Sequence, residues 1–163
     1  MAEQFTIRNA QRNDTAIIFK FIKELAEYEK MTDDVVADEK LLEEWIFDKQ
    51  KAEVILAVVD GKEIGFALFF HNFSTFLGRA GIYLEDLFVE PEYRGKGYGK
   101  ALLKKLACIA VERECGRLEW CCLDWNKPSI DFYLSLGAKQ MTDWTTYRLT
   151  GDTLKNFAEQ NKL

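Results

Sequence analysis

The sequence is poor in the residues that build metal sites. Its 163 residues include one histidine, His71, and four cysteines with no C-x-x-C spacing among them. Structural zinc sites use closely spaced cysteine and histidine ligands, so we expect no metal site. The neighbours of the thiols are largely apolar, and we predict reduced, mostly buried cysteines at positions Cys108, Cys115, Cys121 and Cys122.

Long apolar runs and blocks of basic residues are also missing. No run approaches the roughly 18 apolar residues that cross a bilayer, and Met1–Gln4 does not read as the start of a signal peptide. A net charge of −5 without a Lys/Arg-rich block argues against nucleic acid as a partner and permits a cationic substrate. The chain has no repeat or flexible linker and suits one core. We expect a single cytoplasmic domain, residues 1–163, that binds neither membrane nor nucleic acid.

Hydrophobic spacing outlines an alternation of strands and helices. Helices are predicted after Asp14, ending near residues 28–31, and after Asp38. Two β-rich runs flank Asp60-Gly61, which is a strong hairpin signal. The other predicted elements are strands at 5–8, 81–89, 118–123 and 141–149, and helices at 100–115, 129–136 and from 151 onwards. This order predicts a mixed α/β sheet with three consecutive antiparallel strands.

Three glycines alternate in the segment Arg94-Gly95-Lys96-Gly97-Tyr98-Gly99, between the apolar run Leu87–Val89 and a helix. Such a loop can turn tightly and point several N–H groups at one anion, and the helix adds the positive end of its dipole. The loop lacks the Gly-Lys-Ser/Thr ending of a P-loop, and its antiparallel setting excludes a Rossmann fingerprint. A diphosphate site made of backbone amides, with Arg94 or Lys96 nearby, and an ordinary glycine turn both remain open.

Two segments resemble the GNAT superfamily of acetyl-CoA-dependent N-acetyltransferases. One is this glycine loop after an apolar strand, and the other is Asn126-x-Pro-x-x-x-Phe-Tyr133-x-x-x-Gly137. Leu25–Lys30, Tyr83–Val89 and Leu123–Asn126 are similar to the spermidine/spermine branch, including its thialysine-acetylating relatives. The resemblance implies the GNAT acyl-CoA N-acyltransferase fold, an α/β fold with a mixed, mostly antiparallel twisted sheet of about six to seven strands flanked by about four to five helices. It also implies a homodimer in which C-terminal strands meet.

The same resemblance implies acetyl-CoA as the cosubstrate, without a metal. The backbone of Leu87–Val89 would pair with the pantetheine arm as an added strand does, and would present N–H groups to the thioester carbonyl. The glycine loop would hold the diphosphate. The implied cofactor-binding residues are Leu87, Phe88, Val89, Arg94, Gly95, Lys96, Gly97, Tyr98, Gly99, Asn126, Ser129 and Tyr133.

Tyr133 lies between Phe132 and Leu134 on a predicted short helix, where a tyrosine commonly packs with its hydroxyl at the surface. A phenol, whose reference pKa is about 10, is also suited to protonating a leaving thiolate at neutral pH. In the family a tyrosine at this motif position is the general acid. The resemblance therefore assigns Tyr133 a catalytic role.

Glu85 and Asp86 are carboxylates in an otherwise apolar strand, which is unfavourable unless they are paired or used. A regular strand places them on opposite faces, so only a bulge would bring both to one cleft. One of them could instead pair with a buried arginine. An attacking amine must lose a proton, and a carboxylate that binds the ammonium and relays its proton through water fits that need. By resemblance Glu85 is the catalytic contact, and both residues are expected to bind the substrate.

Tyr28-Glu29, where the first helix ends, is interpreted from the residues alone as a solvated helix end. In polyamine-type relatives this pair helps hold the far ammonium, so the resemblance makes both substrate-binding residues. The sequence departs from those relatives just before Tyr147-Arg148, where Thr145-Thr146 replaces an acidic residue. A shorter diamine or a thialysine- or lysine-like amine is therefore as well supported as a long polyamine.

The sequence thus predicts an enzyme that transfers the acetyl group of acetyl-CoA to a primary amine of a small cationic substrate by direct attack. An acetyltransferase acting on protein N-termini or lysine side chains is the enzymatic alternative. A CoA-binding regulatory module without turnover is the alternative from another class. The presence of both Tyr133 and Glu85 argues against that module.

Overall fold

A computed structural model describes residues 3–160. Its strands are β1 Phe5–Asn9, β2 Glu53–Val59, β3 Lys62–Ser74, β4 Arg79–Val89 and β5 Leu118–Trp120. Its helices are α1 Thr15–Tyr28, α2 Glu39–Glu43, α3 Tyr98–Glu112, α4 Lys127–Ser135 and α5 Gly151–Glu159. A π-helical turn, Glu44–Asp48, continues α2. Across residues 3–160, no helix combines the length and the apolar character needed to cross a membrane.

The chain divides into two compact units between Cys121 and Cys122. The first unit contains the five described strands with α1, α2 and α3, and the second contains α4 and α5. The single domain expected from the sequence stays a prediction.

The strands of the first unit form one sheet in the order β1-β2-β3-β4-β5. The first four pair antiparallel, and β5 lies parallel to β4. Asp60 and Gly61 connect β2 to β3 with φ values of 49° and 81°, and two positive φ values are what a tight two-residue hairpin requires. The mixed, mostly antiparallel sheet and the Asp60-Gly61 hairpin are confirmed.

Aromatic packing fixes α1 on the sheet. Ile18 and Phe21 are fully buried on α1 and pack with Phe66 of β3 and Phe88 of β4. The ring centroids of Phe21 and Phe66 lie 5.7 Å apart, and those of Phe21 and Phe88 lie 6.0 Å apart. Burying each such side chain contributes about 2 kcal/mol. This packing holds the middle of α1 against the C-terminal part of β4.

The predicted amphipathic helix after the glycine loop is present as α3, but its cysteine is not buried. The inward face of α3 consists of Leu102, Leu103, Leu106, Ile109 and Ala110. Cys108 is exposed because successive residues on a helix point about 100° apart, so an apolar neighbour in sequence does not imply a buried position. Cys121 is also exposed, and Cys115 and Cys122 are half-buried. The prediction of mostly buried thiols is therefore wrong, although all four thiols are free.

The predicted strand at 141–149 is also not found, which leaves five strands in residues 3–160 where six or seven were expected. Residues 141–149 are exposed, including the large side chains of Met141, Trp144 and Tyr147. The second unit contains no described strand with which they could pair. Strand propensity alone does not hold a strand, because isolated strands are unstable without a neighbour. The terminal helix predicted from Gly151 is confirmed as α5.

Candidate active site

Strand β5, at the edge of the described sheet, pairs with only part of β4. Their pairing covers only three rungs, from Ile82 opposite Leu118 to Leu84 opposite Trp120. β4 continues to Val89, and no strand of residues 3–160 pairs with residues 85–89 on this side. The C-terminal part of β4 is therefore an open edge, which is the feature that an extended ligand needs in order to bind as an added strand.

The register with β3 decides which backbone groups face that open edge. The N–H of Glu90 donates to the carbonyl O of Ile64 at 2.8 Å, so this pair is hydrogen-bonded across the ladder. Bonded and non-bonded pairs alternate in antiparallel sheets, so Phe88 directs its N–H and C=O towards β3. Leu87 and Val89 then direct theirs to the open edge.

A β-bulge separates the two acidic residues of β4. Leu68 lies opposite Asp86 and Phe69 lies opposite Leu84, which leaves Glu85 as the extra residue. A bulge interrupts strict alternation, and this is the irregularity that the sequence required if both carboxylates were to serve one cleft. Glu85 is exposed, and Asp86 is half-buried.

Asp86 lies in the negative field of Glu85 and of Glu29, the C-cap residue of α1. Burial, and to a smaller extent the negative charges of Glu85 and Glu29, together raise the pKa of Asp86 to about 7. Burial also raises the pKa of Glu29. Among residues 3–160, none of these three carboxylates forms an ion pair. The alternative in which an arginine neutralises one of them is not found in this part of the chain, and the cluster favours a cationic ligand.

Tyr28 and Glu29 mark the end of α1. Tyr28 is its last residue and Glu29 is the C-cap residue. Tyr28 is 38% exposed, and Glu29 is half-buried. The interpretation as a solvated helix end therefore suits Tyr28 better than Glu29, which is partly buried and whose charge acts on Asp86.

The glycine loop has the open backbone of an anion site. Gly95 and Gly97 have φ values of 78° and 89°, and a Cβ added to either would have no neighbouring atom within 4 Å outside the adjoining residues. Gly97 is the N-cap residue of α3, and no side chain of residues 3–160 caps this end. The first N–H groups of a 15-residue helix are therefore available together with its dipole. The loop therefore has the features of an anion-binding site.

The cations of the loop are engaged with the protein. Lys96 Nζ lies 2.9 Å from Glu3 Oε1, and the Tyr98 hydroxyl donates to Glu3 Oε2 at 2.7 Å. Arg94 donates from Nε to the carbonyl O of Val89 at 2.8 Å. Lys96 is a surface residue whose exchangeable ion pair can give way to a phosphate, whereas Arg94 is held at the end of β4.

The second unit carries the motif that begins at Asn126. Asn126 is buried and is the N-cap residue of α4, where its side-chain oxygen accepts a bond from the Ser129 N–H at 3.4 Å. Tyr133 lies in the last turns of α4, half-buried, with its ring centroid 5.4 Å from that of Phe132. The helix predicted after Asn126 and Pro128 is confirmed as α4. It begins at Lys127, two residues before the predicted start at Ser129.

Two features of the site were missed in the sequence. Tyr83 donates its hydroxyl to Cys121 Sγ at 3.0 Å, at the point where β4 and β5 separate. Burial, together with this bond, raises the pKa of the Tyr83 hydroxyl. Glu90 is buried at the end of β4 and binds Lys20 Nζ at 2.6 Å and Lys62 Nζ at 2.8 Å. The spacing of Tyr83 two residues before Glu85 was a usable signal, whereas the partners of Glu90 are distant in sequence.

Comparison with known proteins identifies one family. Residues 18–138 match the Acetyltransferase (GNAT) family. The thialysine N-epsilon-acetyltransferase of Sus scrofa is 37% identical over 164 residues, covering 93% of this chain and 96% of that protein. The spermidine/spermine N(1)-acetyltransferase-like protein 1 of Homo sapiens is 30% identical over 167 residues, covering 96% of this chain and 24% of that protein. An integron cassette protein from the mobile metagenome of V. cholerae has a TM-score of 0.80 and 31% identity, covering 96% of this chain and 98% of that chain.

The family match includes the open edge of β4, the glycine loop and Tyr133. The two named relatives confirm the branch that the residues resembled, and the structural neighbour confirms the fold class. The chain belongs to the GNAT family and is an acetyltransferase.

Proposed function

We propose that this enzyme transfers the acetyl group of acetyl-CoA directly to a primary amine of a small cationic substrate. One observation carries the proposal. The open edge of β4 directly follows two carboxylates at a β-bulge, Glu85 and Asp86, which form no ion pair within residues 3–160. The negative charge of Glu29 acts on Asp86 as well. A backbone edge suited to an extended amide-containing donor thus adjoins a negative site suited to an ammonium.

On the donor side, the amides of pantetheine would pair with the backbone of Leu87 and Val89, which face the open edge. A backbone N–H there would polarise the thioester carbonyl, an oxyanion-type effect that needs no side chain. The diphosphate would lie on the N–H groups of residues 95–99, with Lys96 supplying charge. Asn126 and Ser129 stay predicted cofactor-binding residues of the second unit.

On the acceptor side, Glu85 would contact the ammonium, and Asp86 would accept its proton through water. A carboxylate with a pKa of about 7 is better matched to this task at neutral pH than one with an ordinary pKa. Tyr28 and Glu29 would hold a second positive group of the substrate. Three interacting carboxylates favour an acceptor with more than one charge.

For the leaving group, Tyr133 would donate its phenolic proton to the coenzyme A thiolate. A tyrosine stays protonated at neutral pH and can be re-protonated from solvent after each turnover. Its place in the motif supports this role. We retain it as the general acid.

The substrate we favour is a short, lysine-like amine. Thr145 and Thr146 stand where polyamine enzymes tend to have an acidic residue, and a relative that this chain matches over 93% of its length is named for thialysine. Thialysine and lysine place a reactive amine at one end and charged groups at the other. Spermidine is the competing substrate to be tested against them.

We also propose a homodimer and retain a cytoplasmic location as a prediction. Support for the dimer comes from the exposed apolar side chains of the second unit. Trp144 is 76% exposed and Tyr147 is 91% exposed, within a segment whose composition predicts a strand. Large exposed apolar groups commonly mark interaction surfaces.

The function is tested by a panel of acceptors at saturating acetyl-CoA. The panel contains thialysine, lysine, ornithine, putrescine, spermidine and peptides with free N-termini, ranked by kcat/KM. Because the protein carries four free thiols, acetyl transfer is followed with radiolabelled acetyl-CoA in parallel with release of coenzyme A thiol.

We expect the short cationic amines to rank first. Faster turnover of peptides would favour a protein N-terminal or lysine acetyltransferase. Binding of coenzyme A without acetylation of any amine would favour the regulatory module and contradict the proposal.

A further inference from the structure

Glu90, which directly follows β4, carries a buried charge that the proposed acetyl transfer does not use. The residue is 4% exposed, and its carboxylate oxygens lie 2.6 Å from Lys20 Nζ and 2.8 Å from Lys62 Nζ. Burial alone would raise the pKa of Glu90, but the bonds from the two lysines outweigh it and lower the pKa. Glu90 is therefore an anion at neutral pH, held by one cation from α1 and by one from the first residue of β3.

The segment that begins at Glu90 leads directly into the glycine loop. Pro91–Tyr93 forms a single 3₁₀ turn, and Arg94 is its C-cap residue. The N–H of Tyr93 donates to the carbonyl O of Glu90 at 2.9 Å, and the N–H of Arg94 donates to the carbonyl O of Pro91 at 3.2 Å. The turn is thus closed by its own hydrogen bonds, and proline restricts its first φ. The position of Glu90 therefore sets where the glycine loop begins.

Lys62 and Lys20 connect this turn to two other elements of the first unit. Besides its bond to Glu90, Lys62 places its Nζ 5.1 Å from the ring centroid of Tyr93, so it contacts both ends of the turn. Lys20 lies on α1 next to Phe21, whose ring is fully buried against the sheet. The carboxylate of Glu90 is therefore bonded to two side chains that start from well-packed elements.

We propose that Glu90 is a positioning residue for the donor site, and that its bridge to Lys20 and Lys62 fixes the start of the glycine loop. Charge-assisted hydrogen bonds are the strong ones, and two of them from different elements define a direction as well as a distance. Backbone N–H groups bind an anion best when they are held in place before the anion arrives. The identity of that anion, the diphosphate of acetyl-CoA, rests on the proposed function, whereas the link between Glu90 and the loop does not.

The sign of the charge on Glu90 separates a positioning role from a purely electrostatic one. A carboxylate near a diphosphate repels it, so removing that charge would by itself strengthen acetyl-CoA binding. A positioning role predicts the opposite result for Glu90→Gln, which keeps the shape of the side chain and loses the bridge between two cations. Glu92→Gln is the matched control, because Glu92 lies in the same turn with a side chain that is 65% exposed.

Glu90→Gln is expected to weaken acetyl-CoA binding about tenfold in calorimetry, the order expected for losing buried charge-assisted hydrogen bonds. In the radiolabel assay, kcat and the KM for the best amine should change less than about twofold. Glu92→Gln should change the acetyl-CoA affinity less than about twofold. Unchanged or tighter acetyl-CoA binding in Glu90→Gln would overturn the proposal. An equal rise in the amine KM would also contradict it, because the effect would then not be confined to the donor site.

The double variant Glu90→Gln with Lys62→Met tests whether the bridge acts as one unit. On the positioning role, each single variant weakens acetyl-CoA binding, and the double variant binds no more weakly than the poorer single variant. On charge alone, the loss of Glu90 and the loss of Lys62 have opposite signs and cancel in the double variant. Cancellation would therefore contradict the proposal.

Hydrogen exchange without any ligand separates this inference from the proposed function. A peptide spanning residues 89–98 contains the N–H groups of Tyr93 and Arg94, which close the turn. Faster exchange there in Glu90→Gln and Lys62→Met, but not in Glu92→Gln, supports the positioning role even if the wild-type enzyme acetylates no amine on the panel. Unchanged exchange in Glu90→Gln contradicts it, whatever the kinetics of the wild type. Circular dichroism of each variant confirms that it is folded before it is compared.

Discussion

At the scale of single residues, acetyl transfer depends on the fate of two protons, one leaving the amine and one reaching the coenzyme A thiolate. Tyr133→Phe removes the proposed donor of the proton that reaches the thiolate, and it keeps the ring that packs beside Phe132. We expect kcat to fall about 10- to 1000-fold with little change in stability, because one positioned acid contributes on that order. Steady-state kinetics and a thermal melt measure the two quantities. An unchanged kcat would remove Tyr133 from the mechanism.

The amine proton is tested at Asp86, whose pKa rises on folding from 3.8 to about 7. Between these values the folded chain holds a proton that the unfolded chain has released, so stability falls as pH rises. The loss of stability caused by ionising Asp86 is complete above about pH 7 and absent below about pH 4. Asp86→Asn should therefore exceed wild type in unfolding free energy by roughly 2 kcal/mol near pH 8, and the difference should vanish towards pH 4. Urea titrations at several pH values measure it.

Asp86→Asn, which should raise stability near pH 8, should lower activity there. Activity should rise as Asp86 ionises, so log kcat/KM of wild type has an inflection near pH 7 that Asp86→Asn lacks. Glu85→Gln is the matched control, because loss of a neighbouring negative charge should move the inflection to lower pH. It should also raise the amine KM more than it alters acetyl-CoA affinity. An identical pH profile in wild type and Asp86→Asn would contradict the role of Asp86 as proton acceptor.

The sequence indicated which residue types form the acceptor site but not which carboxylate is perturbed. Glu85 and Asp86 are adjacent, and alternation alone assigns them opposite faces. The bulge opposite Leu68 and Phe69 depends on how β3 and β4 pair. The pKa of Asp86 also depends on Glu29, which lies 57 positions earlier and approaches only in the folded chain. Neither the bulge nor the influence of Glu29 on Asp86 could be predicted from the local sequence pattern.

At the scale of elements, the end of β4 is held by close contact with β3 at Gly65. A Cβ at this position would lie 2.4 Å from the carbonyl O of Phe88 and 3.0 Å from the Cα of Val89. Both contacts are with backbone, so Gly65→Ala must displace β4 next to its open edge. We expect a loss of about 1–3 kcal/mol in unfolding free energy and weaker acetyl-CoA binding. Chemical denaturation and calorimetry measure the two effects.

Gly78→Ala is the matched control for that substitution. Gly78 has a φ of 67° at the turn between β3 and β4, and nothing lies within 4 Å of its added Cβ. Strain at positive φ should cost about 1 kcal/mol without any effect on acetyl-CoA binding. If both alanine variants retained wild-type affinity, the close approach at Gly65 would not matter to the donor site.

At the scale of the whole molecule, the proposed homodimer predicts a molar mass of twice 18.9 kDa in solution. The double variant Trp144→Ser with Tyr147→Ser removes two exposed aromatic groups from the predicted interface and should shift the protein to monomer. Light scattering after size exclusion measures the mass. Phe76→Ser is the control, since Phe76 is 99% exposed on the β3–β4 turn and should leave the dimer intact. A monomeric wild type at micromolar concentration contradicts the proposal.

Most of the fold was predictable because its signals are local. The Asp60-Gly61 turn, the stripe of α3 and the Asn126 cap each depend on residues within a few positions of one another. Whether residues 141–149 form a strand could not be predicted in this way, because a strand requires a neighbouring strand that the local sequence does not specify. The same reason shortens β5, which was predicted over 118–123 and ends at Trp120 once β4 diverges from it.

The open edge of β4 also matters when no donor is bound. No strand of residues 3–160 pairs with the outward backbone groups of Leu87 and Val89, and such an edge is a template on which another polypeptide can extend the sheet and aggregate. The chain limits this hazard with charge at one end, Glu85 and Asp86, and with Pro91 just beyond the other. The carboxylates proposed to attract an amine should therefore also oppose aggregation through this edge when the enzyme is empty, and replacing them with apolar residues should lower solubility as well as turnover.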